Sequence, residues 1–106
     1  MWTVETLDDA VKAELNALPA DQIGRFLRIG DMIQALGLER VGEPHVKLIE
    51  GPLWEMRMKG RDGISRAFYV VARPKRVVVV RVFVKKMQKT PRREIELALK
   101  RAEDVK

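Results

Sequence analysis

Trp54-Glu55-Met56-Arg57-Met58-Lys59 alternates without a break. Trp54, Met56 and Met58 fall on one side of an extended chain, and Glu55, Arg57 and Lys59 on the other, which is the period of a half-buried β-strand. Gly60-Arg61-Asp62-Gly63 follows as a hairpin turn, returning the chain into a second strand from about Ile64 to Val71. The second strand is apolar on both sides, so its buried side stays open. After a turn at Arg73-Pro74-Lys75, a third strand runs from about Arg76 to Val84. Its even positions, Val78, Val80, Val82 and Val84, are all valine and are expected to face helices, leaving Arg81 and Phe83 on the opposite face. This antiparallel meander fixes the class of the fold.

Upstream, the period is helical. Leu7, Val11, Leu15 and Leu18 recur at helical spacing, with Asp8 and Asp9 in the first turn where the helix dipole favours acids. Pro19 opens a second helix with Ile23, Phe26, Leu27, Ile33 and Leu36 as its stripe and Gly37 as its stop. Trp2 to Glu5 could add a short edge strand. Downstream, Thr90 is the expected N-cap and Pro91 the first position of a helix whose Ile95, Ala98, Leu99 and Ala102 share a stripe. The predicted architecture is α+β: a helical hairpin packed on a three-stranded meander, with a terminal helix. No repeat or linker divides it, so residues 1–106 are expected to form a single domain.

The net charge of +6 is an average of two unlike halves. Residues 1–50 carry five Lys/Arg and nine Asp/Glu, and residues 51–106 carry sixteen and six. Between Asp62 and Glu94 there are ten basic residues and no acidic one. Such a field attracts phosphate. The acidic helical hairpin is accordingly expected to face away from an RNA partner, and with no basic recognition helix in it a DNA-binding regulator is disfavoured. The longest aliphatic run ends at Arg81, too short for a membrane span, and no leader pattern is visible at Met1 to Glu5. With no cysteine at all, a reducing cytoplasm is the expected compartment.

Chemistry is narrowed by elimination. Lacking cysteine and having only His45, the chain cannot build a thiol nucleophile, a two-histidine ribonuclease or a His-rich metal centre, and its glycines fit no nucleotide-binding loop. Glu94 and Glu96 point apart on a helix, so neither a metal nor a cofactor is expected. What remains is cationic. Arg57 and Lys59, Arg66 and Arg81 lie on the strands, and Lys85, Lys86, Lys89, Arg92 and Arg93 run into the terminal helix. Arg92 and Arg93 oppose the helix dipole, a penalty that a bound phosphate would reverse. Arginine forks clamp phosphate oxygens, and such a site stabilises the extra charge that forms when a 2′-hydroxyl attacks its own phosphodiester. The proton-transfer candidates are Glu55, a lysine with lowered pKa such as Lys85 or Lys86, and Tyr69. Trp54 and His45 read better as structural residues, whereas Phe83, on the face of Arg81, is as well placed for stacking as for packing.

Leu53-Trp54-Glu55-Met56-Arg57, Arg66-Ala67-Phe68-Tyr69, Phe83 through Pro91, and Glu94-Ile95 with Ala98 and Arg101 resemble the phage-derived, HigB-like branch of the RelE superfamily of toxins. The match is strongest over residues 48–103. The resemblance implies a RelE-like fold and a ribosome-dependent endoribonuclease, the mRNA interferase toxin of a type II toxin–antitoxin system. Such a toxin is inactivated in a hetero-oligomer with a cognate antitoxin, often a helix-turn-helix, HigA-like protein. It also implies catalytic positions at Arg57, Arg66, Lys85 and Lys86, beside Glu55, where RelE has a lysine. Lys59, Arg61, Arg81, Phe83, Lys89, Arg92 and Arg93 are then the expected RNA contacts. The competing expectation is a non-catalytic RNA-binding module using the same basic face.

Overall fold

A computed structural model describes residues 1–86 and 88–106; Met87, within the block that carries the resemblance, lies outside the described residues. The chain runs β1 (Thr3–Thr6), α1 (Asp9–Asn16), α2 (Ala20–Leu36), a single 3-10 turn (Leu38–Arg40), β2 (Val46–Glu50), β3 (Leu53–Gly60), β4 (Gly63–Ala72), β5 (Arg76–Lys85) and α3 (Arg92–Ala102). The five strands form one sheet in the order β1-β5-β4-β3-β2. β1 joins β5 in parallel and every other pairing is antiparallel. The meander is therefore the centre of a wider sheet. None of the helices among the described residues is long and apolar enough to cross a membrane.

α1 and α2 cover one face of the sheet and α3 the other. Val11, Leu15, Phe26, Ile29 and Ile33 pack on Met56, Met58, Ala67, Tyr69, Val77 and Val79. On the opposite face, Ala98 of α3 is buried with Leu53, Phe68, Val70, Val78 and Val80. The Asp8 side chain caps α1 by accepting from the Val11 N–H. At the other end of the chain the cap differs from expectation: Pro91, not Thr90, is the N-cap of α3, and it makes no side-chain hydrogen bond.

The valine strand also corrects its reading. Phe68 pairs with Arg81 but Tyr69 with Val79, so Val80 is an extra residue in β5, a β-bulge. Before the bulge the odd valines, Val77 and Val79, face the helical hairpin, and Val78 and Val80 face α3. After it the phase reverses, and Val82 packs beneath the hairpin. No single face of β5 is all valine. The reversal also brings Phe83 to the α3 side, where its ring meets Phe68 edge-on at 5.2 Å.

The tip of the β3–β4 hairpin is held against α2. The Arg61 N–H donates to Asp21 Oδ2 at 2.7 Å, and a Cβ on Gly60 would stand 2.7 Å from that same oxygen and 2.7 Å from Gln22 Cγ. Glycine is required there by close approach.

Candidate functional site

Strand register assembles the site. Arg57 of β3 pairs with Arg66 of β4, Arg66 pairs with Phe83 of β5, and Ile64 pairs with Lys85. Lys47 of β2 lies opposite Glu55. Because Glu55 and Arg57 continue the side of β3 that buries Leu53, and Arg66 the side of β4 that buries Phe68, the group stands on the α3 face of the sheet. Lys85 reaches that face only because the bulge at Val80 has reversed the phase of β5.

Glu55 is the centre of the group. The residue is 3% exposed, and its carboxyl receives a hydrogen bond from Arg57 Nε at 3.1 Å and lies 3.6 Å from Arg66 Nε. The Arg66 side chain is 7% exposed against 33% for Arg57, so one guanidinium forms the floor and the other the rim. Arg66 Nε and Nη1 are buried and make no hydrogen bond among the described residues. Donors in that condition favour an anion that can accept from them. Burial lowers the Arg66 pKa, opposed by Glu55 and reinforced by Arg57. The Lys85 amine is likewise lowered, first by desolvation and then by the positive charge of Arg66, with Glu55 opposing and Arg57 and Lys47 adding to the fall. Two forked cations, a buried carboxyl and a lysine with lowered pKa thus stand together on the α3 face of the sheet. That set can hold a phosphate and move a proton.

Other expected residues gather around it. Lys59 lines a groove of about 410 Å3 with Arg57, Arg66, Ile64, His45 and Arg25. Lys85 and Lys86 line a second with Arg66, and with Phe83 and Arg93 a third that reaches Pro91. Lys89 is exposed beyond the strand, and Arg61 stands at the hairpin tip.

Three expectations are corrected by the geometry. Arg81 is not a free cation: it makes two hydrogen bonds to Glu94, at 2.7 and 3.1 Å, and an ion pair with Glu14 at 2.9 Å, and its guanidinium lies 5.8 Å from the centre of the Phe83 ring. Arg92 grips both oxygens of Glu50 and adds Glu96, so carboxylates relieve its opposition to the helix dipole and no phosphate is needed for that. Tyr69 faces the helical hairpin, on the other side of the sheet, and burial raises its hydroxyl pKa. It is remote from the arginines and leaves the proton-transfer set. Trp54, beside Tyr69's face, is half-exposed in an apolar groove with Trp2, Val46 and Leu48.

Arg25 and Lys47 are not among the expected site residues, and His45, expected to be structural, lines the groove of Arg57 and Arg66. A signal for His45 and Lys47 existed in β2: once Val46 is set opposite Met56, Lys47 faces Glu55 and the His45 carbonyl accepts from the Arg57 N–H at 2.9 Å. Arg25 carried no signal, since it reaches the groove from a helix on the other side of the sheet. Among the described residues, no group of three or more His, Cys, Asp or Glu is placed to hold a metal.

The family described as phage-derived protein Gp49-like (DUF891) matches residues 13–103. Among solved structures, the chain is similar to one in the archaeal RelE-RelB complex from Pyrococcus horikoshii OT3, at 24% identity and a TM-score of 0.57, covering 80% of this chain and 96% of that one. That likeness shows a RelE-like fold. No curated protein matches.

Proposed function

The chain belongs to the phage-derived Gp49-like family, and from that premise and its open cationic face we propose that it is the toxin of a type II toxin–antitoxin system. It cuts translated mRNA on the ribosome in the cytoplasm as a single domain, and is inactivated in a hetero-oligomer with a helix-turn-helix, HigA-like antitoxin. The observation that carries this reading is the pairing of Arg57 and Arg66 around Glu55, with Lys85 beside them.

The reaction follows from those groups. Arg57 and the unbonded donors of Arg66 hold the non-bridging oxygens of the scissile phosphate. The neutral Lys85 amine takes the proton of the adjacent 2′-hydroxyl, whose oxygen bonds to phosphorus. The P–O5′ bond breaks, Lys86 delivers a proton to the departing 5′ oxygen, and a 2′,3′-cyclic phosphate and a 5′-hydroxyl remain. Charge that builds on the phosphorane falls between the two guanidinium groups, where fixed donors are most effective. Glu55 acts as a positioning residue, holding both arginines in register. Lys59, Lys89 and Arg93 contact the flanking strand, with Phe83 in the wall of the groove.

Inducing the wild-type chain should arrest growth and give mRNA breaks within codons on primer extension, and Arg57→Ala and Lys85→Met should relieve both while remaining folded by circular dichroism. Folded variants that stay fully toxic would overturn the site. Arrest without breaks would replace cleavage by non-catalytic RNA binding.

A further inference from the structure

Away from the arginine pair, four cations from two separate elements line one groove of about 500 Å3: Arg25 and Arg28 of α2, and Lys59 and Arg61 of the β3–β4 hairpin. None of the four side chains is in an ion pair among the described residues, whereas Arg76, Arg81, Arg92 and Arg101 all are. Asp21 is the one carboxylate in the lining, and its Oδ2 is engaged by the Arg61 backbone N–H. Arg25 and Lys59 also line the groove that holds Arg57 and Arg66. The two grooves are thus neighbours with shared walls. They meet across the part of β3 beyond Met56, where β2 no longer pairs and, on the edge away from β4, the Arg57 N–H donates to the His45 carbonyl.

Gly24 supplies an independent observation. It lies in the interior of α2, where glycine weakens a helix, yet a Cβ there would meet nothing within 4 Å. Packing does not require it. It lines the groove between the cations, the position where a missing side chain lets a ligand approach the helix backbone.

We propose that the groove of Arg25, Arg28, Lys59 and Arg61 is a second phosphodiester-binding site, and that an RNA backbone held there is continuous with the cleavage groove over the open edge of β3. This deepens the ribonuclease reading and rests on it. It also revises the role of the helical hairpin, which is acidic in sum but turns two arginines toward RNA. The RNA is either the mRNA flanking the scissile bond or a ribosomal strand, since both present the same backbone.

The test uses the full chain and its Arg28→Gln/Arg61→Gln variant, two cations that line this groove and not the cleavage groove, with Gly24→Gln as a second variant that fills the groove without changing charge. One arm measures binding of 2′-O-methylated single strands, one just long enough for the cleavage groove and one long enough for both. The other measures co-sedimentation with ribosomes. If mRNA is held, the double variant loses roughly tenfold on the long strand alone, and its log–log salt slope falls by about 1.4, the share of two phosphate contacts on a single strand. If ribosomal RNA is held, the loss appears in co-sedimentation. Gly24→Gln should weaken the same arm. Unchanged binding in both arms, with melting temperatures retained, overturns the second site. Cleavage lost in Arg57→Ala while the double variant binds normally leaves the ribonuclease reading intact, and a wild type that never cleaves defeats that reading separately.

Discussion

The rim where β5 meets α3 and the rim where β3 meets α2 are both rich in arginine, and they are built in opposite ways. On the first, Glu14 reaches across from α1 to Arg81 and Arg101 while accepting from the Val82 N–H, Arg101 donates to the Val80 carbonyl, and Glu94 closes on Arg81. β1 pairs with β5 only as far as Val79, so these side chains occupy the strand edge that β1 leaves free. On the second rim, Arg25, Arg28, Lys59 and Arg61 face a groove with no acid in an ion pair to any of them among the described residues. Positive charge alone does not mark a nucleic-acid surface. What distinguishes the two rims is whether a carboxylate has been folded against each cation.

Removing a cation should therefore cost activity on one side and stability on the other. The largest effect is expected at the arginine pair that lies between these two regions: Arg57→Ala should slow cleavage on programmed ribosomes by about 100- to 1,000-fold, the loss typical of one charge-stabilising donor. Its melting temperature should fall less than that of Arg81→Met, because Glu55 keeps Arg66. Arg81→Met strands Glu94 among largely buried groups, and it should destabilise by about 2 kcal/mol, or roughly 10 °C in melting temperature for a chain this size, with cleavage per folded molecule unchanged. A thermal melt and a single-turnover cleavage assay on both variants break the comparison if the losses are exchanged.

The same contrast explains what was legible. The alternation of residues 54–59 placed Arg57 and Glu55 on one face, and the Gly60–Gly63 turn fixed the register that pairs Arg57 with Arg66. Local periodicity and turn chemistry suffice for that. The bulge at Val80 was not legible, because a run of four valines has no polar residue to reveal a change of phase. β2 was missed because Lys47-Leu48-Ile49 does not alternate. The fate of each arginine was hidden for a different reason: Glu50 lies 42 residues from Arg92, and Glu14 lies 87 from Arg101. Only tertiary packing decides which cations are neutralised.

A pH profile sharpens the comparison at Lys85. Its pKa is lowered by desolvation and by neighbouring cations, so its neutral form is populated at lower pH than for an ordinary lysine. If that form takes the 2′-hydroxyl proton, single-turnover cleavage rises with pH through a limb below the usual lysine range. Lys47→Gln removes one of the depressing charges and should move the limb upward, while Lys85→Arg should abolish it. A limb that persists in Lys85→Arg assigns the proton transfer to another group.

The smallest effect belongs to the exposed end of the paired rim, where Arg76 donates to both oxygens of Glu5 at 3.2 and 2.7 Å. That hydrogen bonding, aided by the charge of Arg76 and opposed by desolvation, holds the Glu5 pKa below its ordinary value of 4.5. A carboxyl with a lowered folded-state pKa contributes stability above its unfolded pKa, and the contribution disappears as pH falls through the folded value. Glu5→Gln should therefore lower the melting temperature near neutrality and converge with the wild type in acid, below pH 4.5. The Glu5 side chain is 40% exposed, so solvent and salt screen the pair and the difference should stay under about 1 kcal/mol. Thermal melts across the acid range read it directly. A loss as large as that of Arg81→Met would mean that pairing alone, without the burial of Glu14 and Glu94, is what holds this rim together.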